Sequence, residues 1–136
     1  MGLFDPTEPI GPDLVAMLYA RCDGKCTSCG EPLGDDRNNH AIHHRNRYPV
    51  GSTVRRPNNL ANLIMMHNFP CHIDHVHGHP EWARARGLIV ATTDDPAEVP
   101  LILPGVVMGG NVVMLSDDYH QYDPTGRWDF DTPKAP

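Results

Sequence analysis

Residues 63–77, LIMMHNFPCHIDHVH, decide the fold that we expect for this chain. The apolar run 63–66 predicts a short buried strand, and the residues that follow it include four histidines and a cysteine. Thiolate and neutral imidazole are the side chains that bind zinc and related transition ions. The stretch therefore predicts a strand that leads directly into a metal-binding turn and helix.

The composition is that of a small domain with little core. The chain has 136 residues, the length of one domain, and only 7% of them are aromatic. Its 14 prolines and 12 glycines indicate loops and short elements. Because such a chain forms a thin hydrophobic core, we expect a covalent or metal cross-link to stabilise it.

Short elements are predicted before this stretch. Residues 41–44 are expected to form the strand that pairs with 63–66, across a long polar loop. Nearer the N-terminus, Asp13 is expected to cap a helix that ends near Arg21. The residues expected on the buried side of that helix are Leu14, Leu18 and Met17.

Other elements are predicted after the stretch. Pro80 is placed to begin a helix, and Gly87 to end it. The side chains expected to turn this helix toward the core are Trp82 with Ala85 or Arg86. Residues 99–103 and 112–115 are expected to form a hairpin. Together these elements predict an α+β fold with an N-terminal helix and a C-terminal β-hairpin extension.

The four cysteines predict a zinc site rather than disulfides. The chain begins with no leader-like segment and has no apolar run near the roughly 18 residues of a membrane span. We therefore expect a reduced, cytoplasmic protein with no membrane partner. Cys26 and Cys29 form a CxxC pair, and His67 with Cys71 offers a second pair that completes a Cys3His tetrahedron. Cys22 is an alternative ligand, but a CxxC turn is the better chelate.

A second metal site is indicated by the remaining histidines. His43 and His44 are adjacent on a predicted strand, so their side chains point to opposite faces. One can bind an ion while its neighbour stays available as a general base. A turn and helix after the second strand would bring His72 and His77 toward His43. Spacing alone does not distinguish this site from a histidine-rich surface tract.

The distribution of charge favours an anionic partner. The chain carries a formal charge of −6, yet residues 37–90 contain seven arginines against two acids. A basic centre between acidic ends is typical of a local phosphate-binding face, although an ordinary solvated arginine face gives the same pattern. The candidates for phosphate contacts are Arg45, Arg47, Arg55 and Arg56.

The order of these motifs resembles that of HNH endonucleases, also called ββα-metal or His-Me finger nucleases, and above all the small forms in bacteriophage genomes. The resemblance covers roughly residues 22–115 and includes the stretches 80–90 and 94–100. It rests on the ordered pieces Cys26-x-x-Cys29, Ile42-His-His-Arg45, Asn59-Leu-Ala-Asn-Leu63, Cys71-His72 and Val76-His77. It implies a small zinc-stabilised ββα-metal core.

The resemblance assigns roles to individual residues. His43 corresponds to a ligand of the catalytic ion, as does His72, and His77 matches the further ligand of the three-histidine branch of the family. His44 corresponds to the general base. Asn62 corresponds to the asparagine that fixes the loop and holds the base.

Two positions depart from the family pattern. The spacing from His72 to His77 exceeds one helical turn, so His75 or Asp74 are alternatives for the third ligand. His67 stands where many relatives use a cysteine for zinc. The implied organisation is an extended arm over 1–12, a nuclease domain with its zinc knuckle over 13–90, and a C-terminal hairpin with an acidic tail over 91–136, packed on that domain or trailing it.

The function implied by the resemblance is metal-dependent hydrolysis of DNA that leaves 5′-phosphate and 3′-hydroxyl ends. The cofactors would be one structural Zn and one catalytic divalent ion, Mg, Mn, Ni or Zn. Three nitrogen donors favour Zn, Ni, Co or Mn by affinity, whereas cellular abundance favours Mg or Mn. Nicking or double-strand cleavage with weak sequence preference is expected, since the family's ββα unit often enters the minor groove, which offers a poor sequence code. A phage terminase subunit that packages DNA would be a partner able to supply specificity.

Two other functions fit parts of the sequence. A non-catalytic, zinc-stabilised module that binds nucleic acid or protein needs the Cys3His set but has no use for the His43–His44 pair or Asn62. A metal hydrolase that acts on another substrate would use the same histidines. A plasmid-nicking assay on a His44→Ala variant separates these functions from the nuclease.

Overall fold

The computed structural model describes residues 10–46, 58, 60–104, 112–115 and 121–122. Most of the predicted N-terminal arm lies outside these ranges, as do Arg47, Arg55 and Arg56. The described chain forms a small α+β fold with helical segments and two small antiparallel sheets. Within the described ranges, none of the helices has the length and apolar character needed to span a membrane.

Helix α1 spans Pro12–Arg21 and begins two residues earlier than expected. Gly11 is the N-cap, and Pro12 takes the first helical position, where a missing N–H costs nothing. Asp13 therefore does not cap the helix. It lies in the first turn, where its negative charge suits the helix dipole.

Helix α1 packs on the start of the second strand. Leu14 and Leu18 are buried as predicted, and Met17 is partly buried against the same core. The guanidinium of Arg21, at the end of the helix, donates hydrogen bonds to the carbonyl oxygens of Leu60, at 2.7 Å, and Leu63. This side chain joins the helix to the backbone that leads into the hairpin.

The central hairpin consists of strands β1 (His40–His44) and β2 (Leu63–His67), each one residue longer than predicted. The strands are antiparallel, with His40 opposite His67 and His43 opposite Ile64. Directly paired residues share a face of a sheet, and successive residues alternate between faces. His67 and His43 therefore lie on opposite faces of the hairpin.

A helical segment follows β2 without an intervening loop. This π segment, Asn68–Val76, is helical except at Phe69, whose backbone is extended (φ −130°, ψ 133°). Cys71 and Val76 are its buried residues. The segment turns back along the hairpin and places the ring of His72 with its centroid 5.2 Å from that of His43.

Helix α2 spans Pro80–Ala85 and ends at Gly87, as expected. Gly87 has φ +73°, and a Cβ there would lie 2.0 Å from the carbonyl oxygen of Pro100. Glycine is required at this position because the backbone adopts a left-handed conformation and a second chain segment passes close by. The chain turns here into the segment that runs beside the end of β1.

The orientation predicted for helix α2 is wrong. Ala83 is its buried residue, while Trp82 is 38% exposed and lies against Arg86 and His75. The carbonyl oxygen of Ala83 accepts a hydrogen bond from Leu88 N at 2.9 Å, which closes the end of the helix.

The C-terminal part adds a three-stranded antiparallel sheet. Strands β3 (Leu101–Ile102), β4 (Val112–Leu115) and β5 (Gln121–Tyr122) follow one another in order. The predicted pairing of the two apolar runs is present in β3 and β4. The residues that join the main hydrophobic core are Leu101, Val113 and Leu115.

Arg45 is a structural residue, and the prediction that it contacts phosphate is contradicted. Its side chain is fully buried, and Nε donates to the carbonyl oxygen of Gly87 at 2.8 Å. The terminal nitrogens donate to the carbonyl oxygens of Ala61 (2.9 Å), Pro96 (3.0 Å) and Val99 (2.8 Å). Burial, and after it the charge of Arg21, lowers the pKa of Arg45 to about 10, which leaves it charged at neutral pH. The guanidinium thus joins three chain segments from within.

We predict that Arg45→Met destabilises the protein by at least about 3 kcal/mol, because several buried carbonyl groups lose their donor and each such loss costs about 1–3 kcal/mol. Urea unfolding of the zinc-loaded protein, followed by circular dichroism, measures the change. Arg37→Met is the matched control, since Arg37 is exposed, and should change stability by no more than about 0.5 kcal/mol. Equal stabilities of the two variants would contradict the assigned role.

Candidate metal centres

Four predicted zinc ligands meet on one face of the hairpin. Cys26 and Cys29 lie in the turn between α1 and β1, His67 ends β2, and Cys71 lies in the π segment. One donor atom from each lies within 4.8 Å of the others. His67 Nδ1 is 3.4 Å from Cys29 Sγ and 3.9 Å from Cys71 Sγ, and two such donors on one tetrahedral zinc lie about 3.6 Å apart. The knuckle can therefore hold a metal ion such as zinc.

Hydrogen bonds orient the ligands of the knuckle. Cys26 Sγ accepts from the backbone N–H groups of Cys29, at 3.5 Å, and His67, at 3.3 Å. His67 Nε2 lies 2.9 Å from the carbonyl oxygen of Pro32, which can only accept. The Nε2–H group therefore donates, and the lone pair of His67 resides on Nδ1, toward the cysteines.

The surroundings of Cys29 and Cys71 raise the pKa of both thiols. Burial, and after it the neighbouring Cys26, raises the pKa of Cys71 to about 12. Burial also raises the pKa of Cys29. Since a thiol binds zinc as the thiolate, an ion that enters this site must displace protons, and its affinity falls as the pH is lowered.

Three histidines meet on the opposite face of the hairpin. One ring nitrogen each from His43, His72 and His77 lies within 4.8 Å of the others. The ring centroids of His72 and His77 are 4.5 Å apart, and their Nε2 atoms are 3.0 Å apart. Two nitrogens on one tetrahedral ion lie about 3.3 Å apart, given the usual metal–nitrogen distance. This triad, His43 with His72 and His77, is the second candidate metal centre.

The triad has a buried side and an open side. His43 is fully buried, and its Nε2 lies 2.6 Å from the carbonyl oxygen of Leu88. A carbonyl oxygen can only accept, so Nε2–H donates and Nδ1 carries the lone pair. His77, in contrast, is exposed. An ion held here would face solvent on the His77 side, which is the arrangement of sites that keep coordination positions for substrate.

The structure distinguishes among the residues considered for the third position of the triad. His77 belongs to the group, whereas His75 and Asp74 do not. The ring of His75 instead lies 6.3 Å from that of Trp82. The backbone carbonyl oxygen of Asp74 accepts a hydrogen bond from Gly78 N at 3.1 Å.

His44 has surroundings that differ from those of its neighbour. Its Nε2 lies 2.6 Å from Asn58 Oδ1, and it is a member of neither candidate metal centre. An amide oxygen accepts, so Nε2–H donates and the basic nitrogen of His44 is Nδ1. In both adjacent histidines Nε2–H is the donor and Nδ1 carries the lone pair, but His43 is buried and belongs to the triad, whereas His44 is partly exposed and bonds to a side chain.

Asn62 acts on the backbone that follows His44. It is fully buried, and its Oδ1 accepts from Asn46 N at 2.7 Å, while its Nδ2 donates to Asn46 O at 3.4 Å. Its own carbonyl oxygen accepts from Arg45 N at 2.8 Å. Asn62 thus clamps the end of β1, and Asn58 supplies the direct contact with the His44 ring.

Sequence reasoning did not identify three groups that orient these rings. They are the side chains of Asn58 and Asn68 and the carbonyl group of Leu88. Asn68 could have been identified from the sequence, because it stands four residues before His72, a spacing that brings side chains together on a helix. The other two groups could not be predicted from residue type. Asn58 lies in a long polar loop, and the Leu88 group is a backbone carbonyl, which every residue has.

Comparisons with known proteins identify no relative. No family model, no curated protein and no solved structure matches this chain.

We predict that Cys26→Ser and Cys71→Ser abolish binding of one zinc per chain and lower the unfolding temperature, because the knuckle crosslinks a thin core. Metal content after gel filtration, with thermal unfolding, measures both effects. Cys22→Ser is the matched control, since Cys22 lies outside the knuckle with its Sγ 3.4 Å from the carbonyl oxygen of Tyr19. Loss of zinc from the Cys22 variant would contradict the assigned ligand set.

We also predict that His77→Gln abolishes binding of a second divalent ion to the zinc-loaded protein, while His75→Gln leaves it intact. Only the first change removes a donor from the triad. Isothermal titration with Ni²⁺ or Mn²⁺ measures the second site, and metal analysis verifies that the knuckle stays loaded. Loss of the second ion from the His75 variant alone would contradict the assigned triad.

Proposed function

We propose that this chain is a metal-dependent DNA endonuclease whose active site is of the ββα-metal, HNH-type kind. The observation that carries the proposal is the convergence of His43 with His72 and His77 on the hairpin face opposite the knuckle. Strand β1 supplies His43, and the helical segment that follows β2 supplies His72 and, at its C-cap, His77, in the order expected of that class.

The different surroundings of His43 and His44 support a catalytic function over a binding module. A zinc-stabilised binding module gains nothing from a triad of nitrogen donors beside a histidine with a fixed tautomer. Hydrolysis of a phosphodiester needs both, because the attacking water must lose a proton and charge on the phosphate must be neutralised.

The triad would hold one divalent ion through nitrogen donors alone. Because no carboxylate belongs to the group, the ligands leave the charge of the ion uncompensated, which favours an anionic phosphate. When bound, such an ion supplies Lewis-acid stabilisation of the scissile phosphate and the leaving 3′ oxygen. Three imidazoles favour Zn, Ni, Co or Mn over Mg by affinity.

His44 would act as the general base. Asn58 Oδ1 accepts a hydrogen bond from Nε2–H, so Nδ1 would receive the proton of the attacking water. Asn62 contributes by holding the backbone after His44, which limits the motion of the ring. The water oxygen would bond to phosphorus as the bond from phosphorus to the 3′ oxygen breaks, and the 3′ oxygen would take a proton from solvent, which leaves 5′-phosphate and 3′-hydroxyl ends.

DNA would bind by its phosphates more than by its bases. Arg47, Arg55 and Arg56 are the proposed phosphate contacts, since Arg45 is committed to the protein interior. No element of the described chain forms a separate base-reading domain, so we propose nicking with weak sequence preference. A DNA-packaging terminase subunit of a bacteriophage would be a partner that directs the enzyme to its sites.

We predict that the zinc-loaded protein nicks supercoiled plasmid when Mn²⁺, Ni²⁺ or Mg²⁺ is added, and that His44→Ala lowers the rate at least about 100-fold. The physical reason is the loss of the group that takes the proton of the attacking water. Conversion of supercoiled to open-circular DNA on agarose gels measures the rate.

His79→Ala is the matched control, because His79 is exposed and belongs to neither metal centre. A mild chelator should stop nicking before zinc leaves the knuckle, since the triad opens to solvent. Equal rates for parent and His44→Ala would reject His44 as the base. A folded parent with both metals bound and no nicking would favour the binding module.

A further inference from the structure

We propose that Asn68 is a positioning residue that fixes the tautomer of His72 and thereby tunes ion binding at the triad. This inference rests on the proposed function, because it concerns the ion of the proposed nuclease. Asn68 Oδ1 lies 3.3 Å from His72 Nδ1, at the far side of the ring from the triad.

The two nitrogens of the His72 ring face different partners. Nε2 points to the triad, where it lies 3.0 Å from Nε2 of His77. Nδ1 points to the amide of Asn68. An amide oxygen accepts a hydrogen bond from Nδ1–H, which leaves the lone pair on Nε2, the nitrogen that a triad ion would meet.

A hydrogen bond also fixes the tautomer of His43, but its acceptor is a backbone group. Its outer nitrogen, Nε2, lies 2.6 Å from the carbonyl oxygen of Leu88, so its inner nitrogen carries the lone pair. Leu88 does this with a carbonyl group that no substitution removes, whereas Asn68 uses a side chain. Residue 68 is therefore a position at which the sequence can adjust the basicity of a ligand without changing the ligand.

Asn68 is held in place before any ion arrives. It directly follows β2, and the next residue, Phe69, is fixed through both of its backbone polar groups by one side chain. Phe69 N donates to Asn39 Oδ1 at 2.9 Å, and Asn39 Nδ2 donates to Phe69 O at 3.1 Å. This double contact fixes the backbone beside Asn68, so little conformational freedom is lost when His72 becomes a ligand.

The first test needs no substitution. In the zinc-loaded parent without a second ion, ¹⁵N NMR of the histidine rings should show His72 with its proton on Nδ1. A His72 ring with its proton on Nε2 would overturn the inference.

The second test uses Co²⁺ absorption titrations of zinc-loaded variants. Asn68→Leu, which removes the acceptor, should weaken Co²⁺ binding at the triad about 10- to 100-fold. Asn68→Asp keeps an acceptor oxygen and should bind at least as tightly as the parent. Asn38→Leu is the matched control, because Asn38 is exposed, and should leave the affinity unchanged.

The outcomes separate this inference from the nuclease proposal. Unchanged affinity in Asn68→Leu, or equal losses in Asn68→Leu and Asn68→Asp, would overturn the role of Asn68 even if the parent nicks DNA. Conversely, the expected affinity series in a parent that does not nick DNA would support Asn68 and reject the nuclease. If Asn68→Leu loses its zinc, the comparison of Asn68→Asp with the parent decides in its place, and a weaker Asp variant overturns the inference.

Discussion

The pairing of His40 with His67 across the hairpin is the constraint on which both candidate metal centres depend. Because side chains alternate between the faces of a strand, this register sends His67 to one face and His43 to the other. A shift of one residue would exchange the faces and bring the knuckle and triad histidines onto the same side. The hydrogen bonds of Asn62 with the backbone of Arg45 and Asn46 hold one end of the hairpin in register and oppose such a shift.

The chain passes from one centre to the other within a single peptide bond. Cys71 belongs to the knuckle, and His72 belongs to the triad. Zinc at the knuckle would therefore fix the backbone from which a ligand of the other centre projects. The ordering of a small core by one ion and the placement of a second ion would then depend on the same stretch of backbone.

Arginine illustrates how residue type can mislead. Four arginines beside a histidine cluster suggest a phosphate-binding face, and the sequence offers no way to separate Arg45 from the others. The separation arises because the side chain of Arg45 enters a space enclosed by carbonyl groups of Ala61, Gly87, Pro96 and Val99. Those groups come from segments up to 54 residues away, so a local pattern carries no trace of them. The prediction that Trp82 faces the core was wrong for a similar reason, because tertiary packing decides which side of a short helix meets the core.

Local chemistry determined much of this protein. Apolar runs and turn residues predicted both hairpin strands, β4 and the two α-helices within two residues of their observed bounds, whereas β3 is shorter than predicted and β5 was not predicted. Residue type and spacing predicted the Cys3His set, because donor type and chain reach are local properties, but spacing alone left the grouping of His43 with His72 and His77 undecided. Tertiary structure alone decided which nitrogen of each ring carries its proton. That choice depends on the oxygen atom that accepts a hydrogen bond from each ring, which belongs to Leu88 for His43, Asn58 for His44, Pro32 for His67 and Asn68 for His72. For His43, His44 and His67 the acceptor lies far along the chain. It meets the ring only after the hairpin, the π segment and the segment after α2 have packed together.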